Sequence, residues 1–354
     1  MADDLLKNIL QISKERGIDP KISFAAIQEA LLVVSKKFFH PDADIQVEID
    51  EELGQIRVYT LKTVVKEVQD SDREISWKEA LKHDSKAREG DEIRIYLAGE
   101  MLGRVAAQSA KQIILNKITK AEQQKIFDIY DPLTGSLQSG DVRRIENGNI
   151  IIGLESAEAV LPPKEISPLD HFRRGEIIKV LIKRVFPEGK GPLILATRYM
   201  NDFVGELIRM EVPEVAEGIV GIWGIAREPG FKSKVAVFSN DKNVDPVGAI
   251  VGMNGNRILA VTKELRGERI DVIAWNQVPE RFIASSMTPA EVLKVVVLDR
   301  QNQLAEVTVK EDSLSAAIGK KGINIKLASK LTKWDIRIAN RRQDDQFEDR
   351  RKNR

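Results

Sequence analysis

The spacing of hydrophobic and polar residues divides the first 130 residues into helices and strands. Apolar residues near the start, and again after Ser23, recur at the three- and four-residue intervals of amphipathic helices. Two later stretches alternate apolar and polar residues on either side of a turn, which predicts a hairpin. The pattern therefore predicts an N-terminal α/β domain. Its elements are helices over 5–12, 24–38 and 75–83 and strands over 45–49, 56–58 and 93–97.

A long helix is predicted to follow this domain. From about Ala106 to Tyr130 the chain contains neither glycine nor proline, and its apolar residues fall on one face. A helix of about 25 residues spans about 37 Å, which suits a rigid connection between domains. The residues of this face are Ala110, Ile113, Ile114, Ile118 and Ala121.

Beyond residue 137 the chain changes to short strand-like runs separated by glycine and proline turns. Five such runs before residue 200 predict a small closed β-barrel of the OB type. The runs cover 142–145, 149–154, 159–161, 177–185 and 193–197.

The last third of the chain contains an internal repeat. Residues 247–258 have the same glycine and apolar spacing as residues 314–325, 67 positions later. Two alternating strands precede each segment, and one strand follows it. A repeat of this length indicates that one supersecondary unit occurs twice. Each unit has a Gly-x-x-Gly loop between two short helices, which is the signature of a KH module.

A Gly-x-x-Gly loop in this setting can hold a nucleic-acid backbone. The glycines let the chain approach a sugar–phosphate strand closely. The next helix begins with N–H groups that lack intrahelical partners and can face phosphate oxygens. KH loops clamp about four nucleotides of a single strand in this way. An isolated Gly-x-x-Gly is usually only a turn, but two copies with matched surroundings favour RNA binding.

We predict that both loops and the helical turns after them bind single-stranded RNA, and that apolar neighbours form a groove for the bases. Only the second loop carries cations, Lys320 and Lys321. Because the loops are expected to be exposed, the first glycine of each is expected to accept aspartate without loss of the fold. The predicted RNA-binding residues are Gly252, Met253, Asn254, Gly255, Arg257, Gly319, Lys320, Lys321, Gly322, Asn324 and Lys326, and the predicted base groove comprises Val251, Ile258, Ile318 and Ile325.

Other basic and aromatic residues give weaker signals. Four cations of the barrel are candidates for lining a nucleic-acid path, although aromatic residues for base stacking are sparse there. Three tryptophans on or beside predicted strands are interpreted as core or interface residues. The cations are Arg143, Arg144, Lys183 and Arg184, and the tryptophans are Trp223, Trp275 and Trp334.

Composition excludes several classes of function. The 354 residues include 55 Lys and Arg against 54 Asp and Glu, so any attraction to phosphate must be local. The chain has no cysteine, which excludes disulfides, thiolate metal sites and cysteine nucleophiles. Its three histidines lack metal-ligand spacing. No Walker loop, dinucleotide-binding loop or hydrolase motif occurs. We therefore predict no catalytic residue, no metal site and no cofactor.

Basic residues concentrate near the C-terminal end. Residues 1–130 contain 20 basic and 23 acidic residues, whereas residues 277–354 contain 16 and 11. The first residues are acidic where a secretion signal would be basic, and no apolar run reaches the roughly 18–20 residues of a membrane span. We predict a cytoplasmic protein that does not bind membranes.

Several stretches of the chain resemble the NusA family of bacterial transcription termination/antitermination factors, and the resemblance extends over about residues 1–340. The resembling stretches are Ala106-Ala-Gln-Ser-Ala-Lys-Gln-Ile-Ile114, Glu158-Ala-Val-Leu-Pro162, Glu211-Val-Pro-Glu-Val215, Ala226-Arg-Glu-Pro-Gly230 and Asn243-Val-Asp-Pro-Val-Gly248. The resemblance implies a multidomain α/β and β protein. Its implied parts are an N-terminal RNA-polymerase-binding domain with the long connecting helix (1–130), an S1-type OB barrel (131–200), two tandem KH domains of prokaryotic type (201–276 and 277–340) and a charged disordered tail (341–354).

The resemblance also implies a function. Residues 1–130 would bind RNA polymerase core while the barrel and KH domains hold nascent RNA. The protein, expected to be a monomer and not an enzyme, would promote pausing and intrinsic termination, or antitermination with other factors. Asn254 stands where the family commonly has a basic residue, which puts phosphate binding by the first loop in question. The acidic C-terminal repeats of some members are absent, so we expect no autoinhibition of the kind attributed to them.

Two other functions stay open at this point. A general RNA-binding module in translation or decay fits the KH and barrel signals but gives no role to residues 1–130. An RNA-processing enzyme would need a catalytic domain, and those residues show no metal-ligand cluster and no nucleotide loop. Co-purification with polymerase would distinguish the first alternative, and an RNA degradation assay the second.

Overall fold

A computed structural model divides the chain into two compact units, Met1–Asp128 and Ile129–Arg354. The predicted tail 341–354 lies outside the described residues, as does the predicted helix over 5–12 apart from residue 11. Within the predicted helix over 24–38, the described residues are helical. The described residues are 11, 21, 24–25, 28–33, 44–50, 55–96, 104–187 and 193–339.

The N-terminal unit contains a four-stranded sheet arranged around β2, which pairs antiparallel with β1 and β4 and parallel with β3. The predicted hairpin is confirmed, whereas β3 is not among the predicted strands. Ser76 caps the N-terminus of helix α1, since its hydroxyl accepts a hydrogen bond from the backbone N–H of Glu79 at 3.3 Å. The elements are β1 Ile45–Asp50, β2 Gln55–Val65, β3 Glu74–Ser76, α1 Trp77–His83 and β4 Glu92–Tyr96.

The predicted long helix is confirmed as α2, Arg104–Tyr130. Ile114 and Ile118 of its predicted apolar face are fully buried. Among the described residues, no helix is both long enough and apolar enough to cross a membrane.

Five strands close into the predicted barrel, in the order β5-β6-β7-β9-β8. Fully buried apolar side chains such as Ile152, Leu161 and Ile182 fill it. Burial alternates along β7, as expected for a strand with one face in the core. The strands are β5 Leu137–Glu146, β6 Asn149–Gly153, β7 Glu158–Leu161, β8 Ile177–Val185 and β9 Ile194–Thr197.

Two copies of one helix–β–β–helix–helix–β unit follow the barrel, and the predicted repeat is confirmed. In each copy the first two strands are antiparallel and the last two are parallel. The first copy comprises α3 Asn201–Glu211, α4 Pro213–Ala216, β10 Val220–Glu228, β11 Lys232–Ser239, α5 Pro246–Val251, α6 Asn256–Glu264 and β12 Arg269–Ala274. The second comprises α7 Pro279–Ser286, β13 Val292–Asp299, β14 Leu304–Val309, α8 Leu314–Ile318, α9 Ile323–Thr332 and β15 Asp335–Ile338.

The helix that opens each copy is not among the predicted elements. Both helices nevertheless have a signal in the sequence. Phe203, Val204, Leu207 and Ile208 recur on one face of α3 and are all fully buried. Helix α7 begins with Pro279, a residue favoured in the first turn.

A buried arginine joins the barrel to the first KH copy. Arg198 follows β9 and is 1% exposed. Its guanidinium donates hydrogen bonds to Asp170 of the barrel at 2.9 and 3.1 Å and to Glu264 of α6 at 2.8 Å. The same group donates to the backbone oxygen of Lys179 at 2.6 Å and lies 4.7 Å from the centre of the Phe203 ring. Every side of this cation therefore has a partner.

A second buried arginine extends this network into the KH sheet. Arg227 of β10 donates two hydrogen bonds to Glu268, at 2.8 and 2.9 Å, and a third to the backbone oxygen of Arg198 at 2.8 Å. Glu268 is fully buried and also accepts from the backbone N–H of Gly230 at 2.8 Å. The two arginines thus fix the barrel on the first KH copy.

The two KH copies are joined by helix α9, which packs on the sheet of the first copy. Leu327 and Leu331 of α9 pack with Ala226, Ala236 and Ile273 of that sheet. Polar contacts border this apolar layer. Lys234, fully buried, donates to Asp271 at 2.8 Å and to the backbone oxygen of Thr288 at 2.6 Å.

Replacing Glu268 by alanine should lower the free energy of unfolding of the second unit. The change leaves Arg227 buried without its carboxylate, and breaking a buried ion pair costs about 3–5 kcal/mol. Urea denaturation of the full chain measures the loss of unfolding free energy. Glu146→Ala is the control, since Glu146 pairs with Arg144 at the surface and should cost less than about 1 kcal/mol. Equal losses in both variants would contradict a central role for the buried pair.

Lys234 should make stability depend on pH in alkaline solution. Burial lowers the pKa of Lys234 from 10.5 to about 8. Between these values the unfolded chain binds more protons, so the free energy of unfolding should rise with pH, by at most about 1.4 kcal/mol per unit. The measurement is the difference between the wild type and Lys234→Met in urea melts from pH 7.5 to 10. If the difference in unfolding free energy between the two proteins does not change with pH, the lowered pKa of Lys234 is contradicted.

Candidate nucleic-acid interface

The two Gly-x-x-Gly loops, residues 252–255 and 319–322, have the same backbone conformation. The first glycines, Gly252 and Gly319, have φ/ψ of 75°/175° and 72°/169°. The last glycines, Gly255 and Gly322, have 76°/13° and 72°/14°. Both conformations lie at positive φ, which favours glycine. The matching sequences therefore produce two copies of one loop geometry.

The first glycine of each loop is also required by packing. A Cβ at Gly252 would lie 2.8 Å from Cγ of Arg257, and one at Gly319 would lie 2.9 Å from the backbone nitrogen of Asn324. At Gly319 the helix backbone itself would have to shift, and at Gly252 the side chain of Arg257 would have to move, while the positive φ strains any other residue at both positions. The expectation that these glycines accept aspartate without loss of the fold is therefore wrong. The last glycine differs, because a Cβ at Gly322 meets no atom within 4 Å.

Each loop leads directly into a helix whose N-terminus lacks a side-chain cap. Helix α6 begins after Gly255 and helix α9 after Gly322, and neither glycine offers an oxygen to the first N–H groups. The first turn of a helix carries N–H groups without intrahelical partners and a partial positive charge. These groups are placed to donate to an external anion such as a phosphate.

The middle residues of both loops are exposed, but they differ in charge. Met253 is 84% exposed, and Asn254, which is uncharged, is also exposed. Lys320 and Lys321 are exposed, and in the part of the chain that the structure describes no carboxylate pairs with either of them. The third residue of each loop is left-handed, with φ of 54° at Asn254 and 55° at Lys321.

Arg257 turns inward and supports the first loop. Its guanidinium donates to the backbone oxygen of Ala249 at 2.7 Å and to both carboxylate oxygens of Glu214 at 2.9 and 3.1 Å. The pKa of Glu214 is lowered, first by a hydrogen bond from its own backbone N–H and then by Arg257. Arg257 therefore ties α6 to α5. Its RNA contact stays a prediction.

Asn324 occupies the equivalent position in the second loop, 67 residues later, and it is 2% exposed. Its amide donates to the backbone oxygens of Ala317 and Met287, at 3.2 and 3.1 Å, and its oxygen accepts from Lys232 at 3.1 Å. No part of this side chain is left for RNA, so its predicted RNA contact is not retained. Lys326 is exposed and lies 3.5 Å from Glu228.

The predicted base groove lies beside both loops. Val251, Ile258 and Ile325 are half-buried, and Ile318 is 41% exposed. Ile258 and Ile325 pack on the apolar cores of their own KH copies. Each pair therefore presents a partial apolar surface beside a loop that leads into an uncapped helix N-terminus.

Three of the four predicted barrel cations pair with carboxylates. Arg143 lies 2.9 Å from Asp141, Arg144 lies 2.8 Å from Glu158, and Lys183 pairs with Glu165. The fourth cation, Arg184, lies 5.0 Å from the centre of the Phe186 ring. Among the described residues, no group of His, Cys, Asp and Glu side chains could hold a metal ion.

Comparison with known families gives three matches along the chain. The profile of the NusA N-terminal domain matches residues 4–124. The profiles of the NusA-like first and second KH domains match residues 198–275 and 279–346.

Individual proteins named transcription termination/antitermination protein NusA are similar over most of the chain. The protein from Rickettsia prowazekii is 37% identical over 344 residues, which cover 96% of this chain and 68% of the relative. That from Thermus thermophilus is 38% identical over 347 residues, covering 95% and 89%. That from Bacillus subtilis is 37% identical over 338 residues, covering 96% and 91%.

Proposed function

This chain belongs to the NusA family of transcription termination/antitermination proteins, and on this basis we propose which of its domains binds RNA polymerase and which bind RNA. It is an RNA-binding transcription elongation factor, not an enzyme, and it acts with RNA polymerase and nascent RNA in pausing, intrinsic termination and antitermination. The proposal concerns which residues bind which partner.

We propose that loops 252–255 and 319–322 bind the RNA backbone. The observation that carries this proposal is the shared loop geometry, in which an uncapped helix N-terminus follows a left-handed glycine at Gly255 and at Gly322. Phosphate oxygens would accept from the first N–H groups, and Lys320 and Lys321 would add two cations at the second loop. Bases would turn into the grooves beside Ile258 and Ile325. The second loop should therefore bind more tightly than the first.

A charge placed on the last glycine of each loop tests this proposal. The double variant Gly255→Asp/Gly322→Asp brings two carboxylates to the helix N-termini and should weaken RNA binding about tenfold or more. Each like-charge contact at 4 Å costs about 1 kcal/mol even in water. Fluorescence anisotropy with one unstructured labelled RNA measures the affinity.

The matched control is Gly255→Asn/Gly322→Asn, which has the same shape without the charge. Asparagine and aspartate both tolerate a left-handed backbone better than other residues do, so both variants should fold. We expect the asparagine variant to bind within about threefold of the wild type. Equal affinity of the aspartate and asparagine variants would remove the loops from the RNA-binding site.

We propose that residues 1–130 bind RNA polymerase core. They contain 20 basic and 23 acidic residues and no phosphate-binding loop, so their partner is a protein surface and not RNA. The match of residues 4–124 to the NusA N-terminal domain supports a separate role for this part. The compact unit Met1–Asp128 gives a natural boundary for a deletion.

Deleting residues 1–128 should abolish co-sedimentation with RNA polymerase core and any effect on pausing, whereas RNA affinity should stay within about threefold. Gradient sedimentation and a single-round pausing assay measure the first two properties, and anisotropy measures the third. The control is the full chain carrying Gly255→Asp/Gly322→Asp, which should still sediment with polymerase. Retained pausing activity in the deletion variant would contradict the division.

We also propose that the protein works as a monomer in the cytoplasm, where bacterial transcription takes place, and that other antitermination factors join it there.

A further inference from the structure

Trp223 occupies an irregular position in β10. The pairing of β10 with β11 runs from Ile222 opposite Val237 to Gly224 opposite Ala236, so Trp223 between them has no partner in the ladder. It is the extra residue of a β-bulge, a feature that redirects a side chain. Trp223 is 54% exposed. Of the two alternatives in the interpretation as a core or interface residue, the exposure of Trp223 contradicts the core alternative and leaves the interface alternative a prediction.

Trp275 supports one face of the Trp223 ring. The two indoles are stacked, with ring centres 4.3 Å apart and planes inclined by 27°. Trp275 is itself fixed, because its backbone N–H donates to Val237 at 2.7 Å and Phe238 packs against its ring edge-on at 6.2 Å. Since one face of Trp223 is covered and half of the residue is exposed, its other face is open to solvent. The pair forms a rigid aromatic platform.

The platform lies at the far end of helix α9 from the second loop. Leu331 near the end of α9 lies 3.8 Å from the Cβ position of Gly224, the neighbour of Trp223. The ten residues of α9 begin after Gly322, so about 15 Å of helix separates the second loop from the platform. This separation is short enough for one RNA strand of a few nucleotides to span the loop and the platform.

Exposed polar residues lie close in sequence to Trp275 and to Leu331, the residue of α9 that contacts the neighbour of Trp223. Lys330 and Lys333, on either side of Leu331 in sequence, lie near the end of α9, and no carboxylate among the described residues pairs with them. Gln277, two positions after Trp275, is exposed. An exposed aromatic face with cations and an amide nearby fits a stacked base with its phosphates, whereas a protein-docking patch would be a contiguous apolar surface.

We propose that the Trp223–Trp275 pair is a stacking site for an unpaired base of the bound RNA, outside the two Gly-x-x-Gly loops. The proposal rests on the RNA-binding function proposed above and extends it by one subsite. Stacking of a base on an aromatic side chain is tolerant of sequence. The site would therefore lengthen the RNA contact without selecting a sequence.

Trp223→Ala should weaken binding of an unstructured twelve-nucleotide oligoadenylate about fivefold or more, the low end of stacking effects. Trp223→Phe, which keeps an aromatic face, should bind within about twofold of the wild type. Phe231→Ala is the matched control, because Phe231 is 50% exposed in the same KH copy and should have no effect. Anisotropy measures all four proteins.

Two further readouts separate stacking from charge and from misfolding. The factor by which Trp223→Ala weakens RNA affinity should be the same at low and high salt. In contrast, Lys320→Ala/Lys321→Ala should reduce the slope of log affinity against log salt concentration by about 1.4. RNA should quench tryptophan fluorescence of the wild type, and most of that quenching should disappear in Trp223→Phe, which tests the site even if Trp223→Ala fails to fold.

The outcomes distinguish this proposal from the one on which it rests. Wild-type affinity in Trp223→Ala, together with undiminished quenching in Trp223→Phe, would overturn the stacking site and leave the pair as a contact for protein. If Gly255→Asp/Gly322→Asp still weakens binding in that case, the loops remain the RNA site. If that variant has no effect but Trp223→Ala does, the proposal for the loops fails and the stacking site stands.

Discussion

The arrangement of the barrel and the first KH domain depends on the hydrogen bonds between two buried guanidinium groups, those of Arg198 and Arg227, and their carboxylate partners. Removing two cations and their carboxylates from water is costly, and apolar residues of similar volume would often stabilise a fold as well. Charged groups have a different advantage here, because their hydrogen bonds fix direction as well as distance. Arg198 can satisfy Asp170 and Glu264 only in one relative placement of the barrel and α6. The network therefore fixes the position of the barrel relative to the first KH domain.

The interface between the KH domains uses the same helix that follows the second Gly-x-x-Gly loop. Helix α9 carries the second loop at its start and packs along its length on the sheet of the first domain. Asn324 connects the two functions, since it ties the loop to Ala317 and also accepts from Lys232 of the first domain. The second loop thus cannot shift without disturbing the interface. The two KH domains are held in one fixed arrangement by this means.

The sequence predicted the barrel strands, the long helix and both loops because their signals are local. Strand β7 alternates in burial, and the glycines of both loops repeat at one fixed offset. The roles of Asn324 and Trp223 could not be predicted in this way. An asparagine after a Gly-x-x-Gly loop looks like an RNA contact until the neighbouring domain buries it. A tryptophan within a strand is interpreted as a core or interface residue, and the bulge that exposes it depends on pairing with β11, which the sequence does not reveal.

The third residue of each loop has a left-handed backbone, and this conformation favours an uncharged asparagine over a positively charged lysine. Asparagine is among the few residues other than glycine that adopt this conformation readily, whereas lysine has no such advantage and its strain costs on the order of 1 kcal/mol. Asn254 therefore fits its loop without strain but gives no cation, and Lys321 gives a cation in a strained loop. In these two loops, the residue at this position is either free of strain or positively charged. The uncharged first loop is the conformationally relaxed member of the pair, and the departure from a basic residue at Asn254 has a physical compensation in the stability of the loop itself.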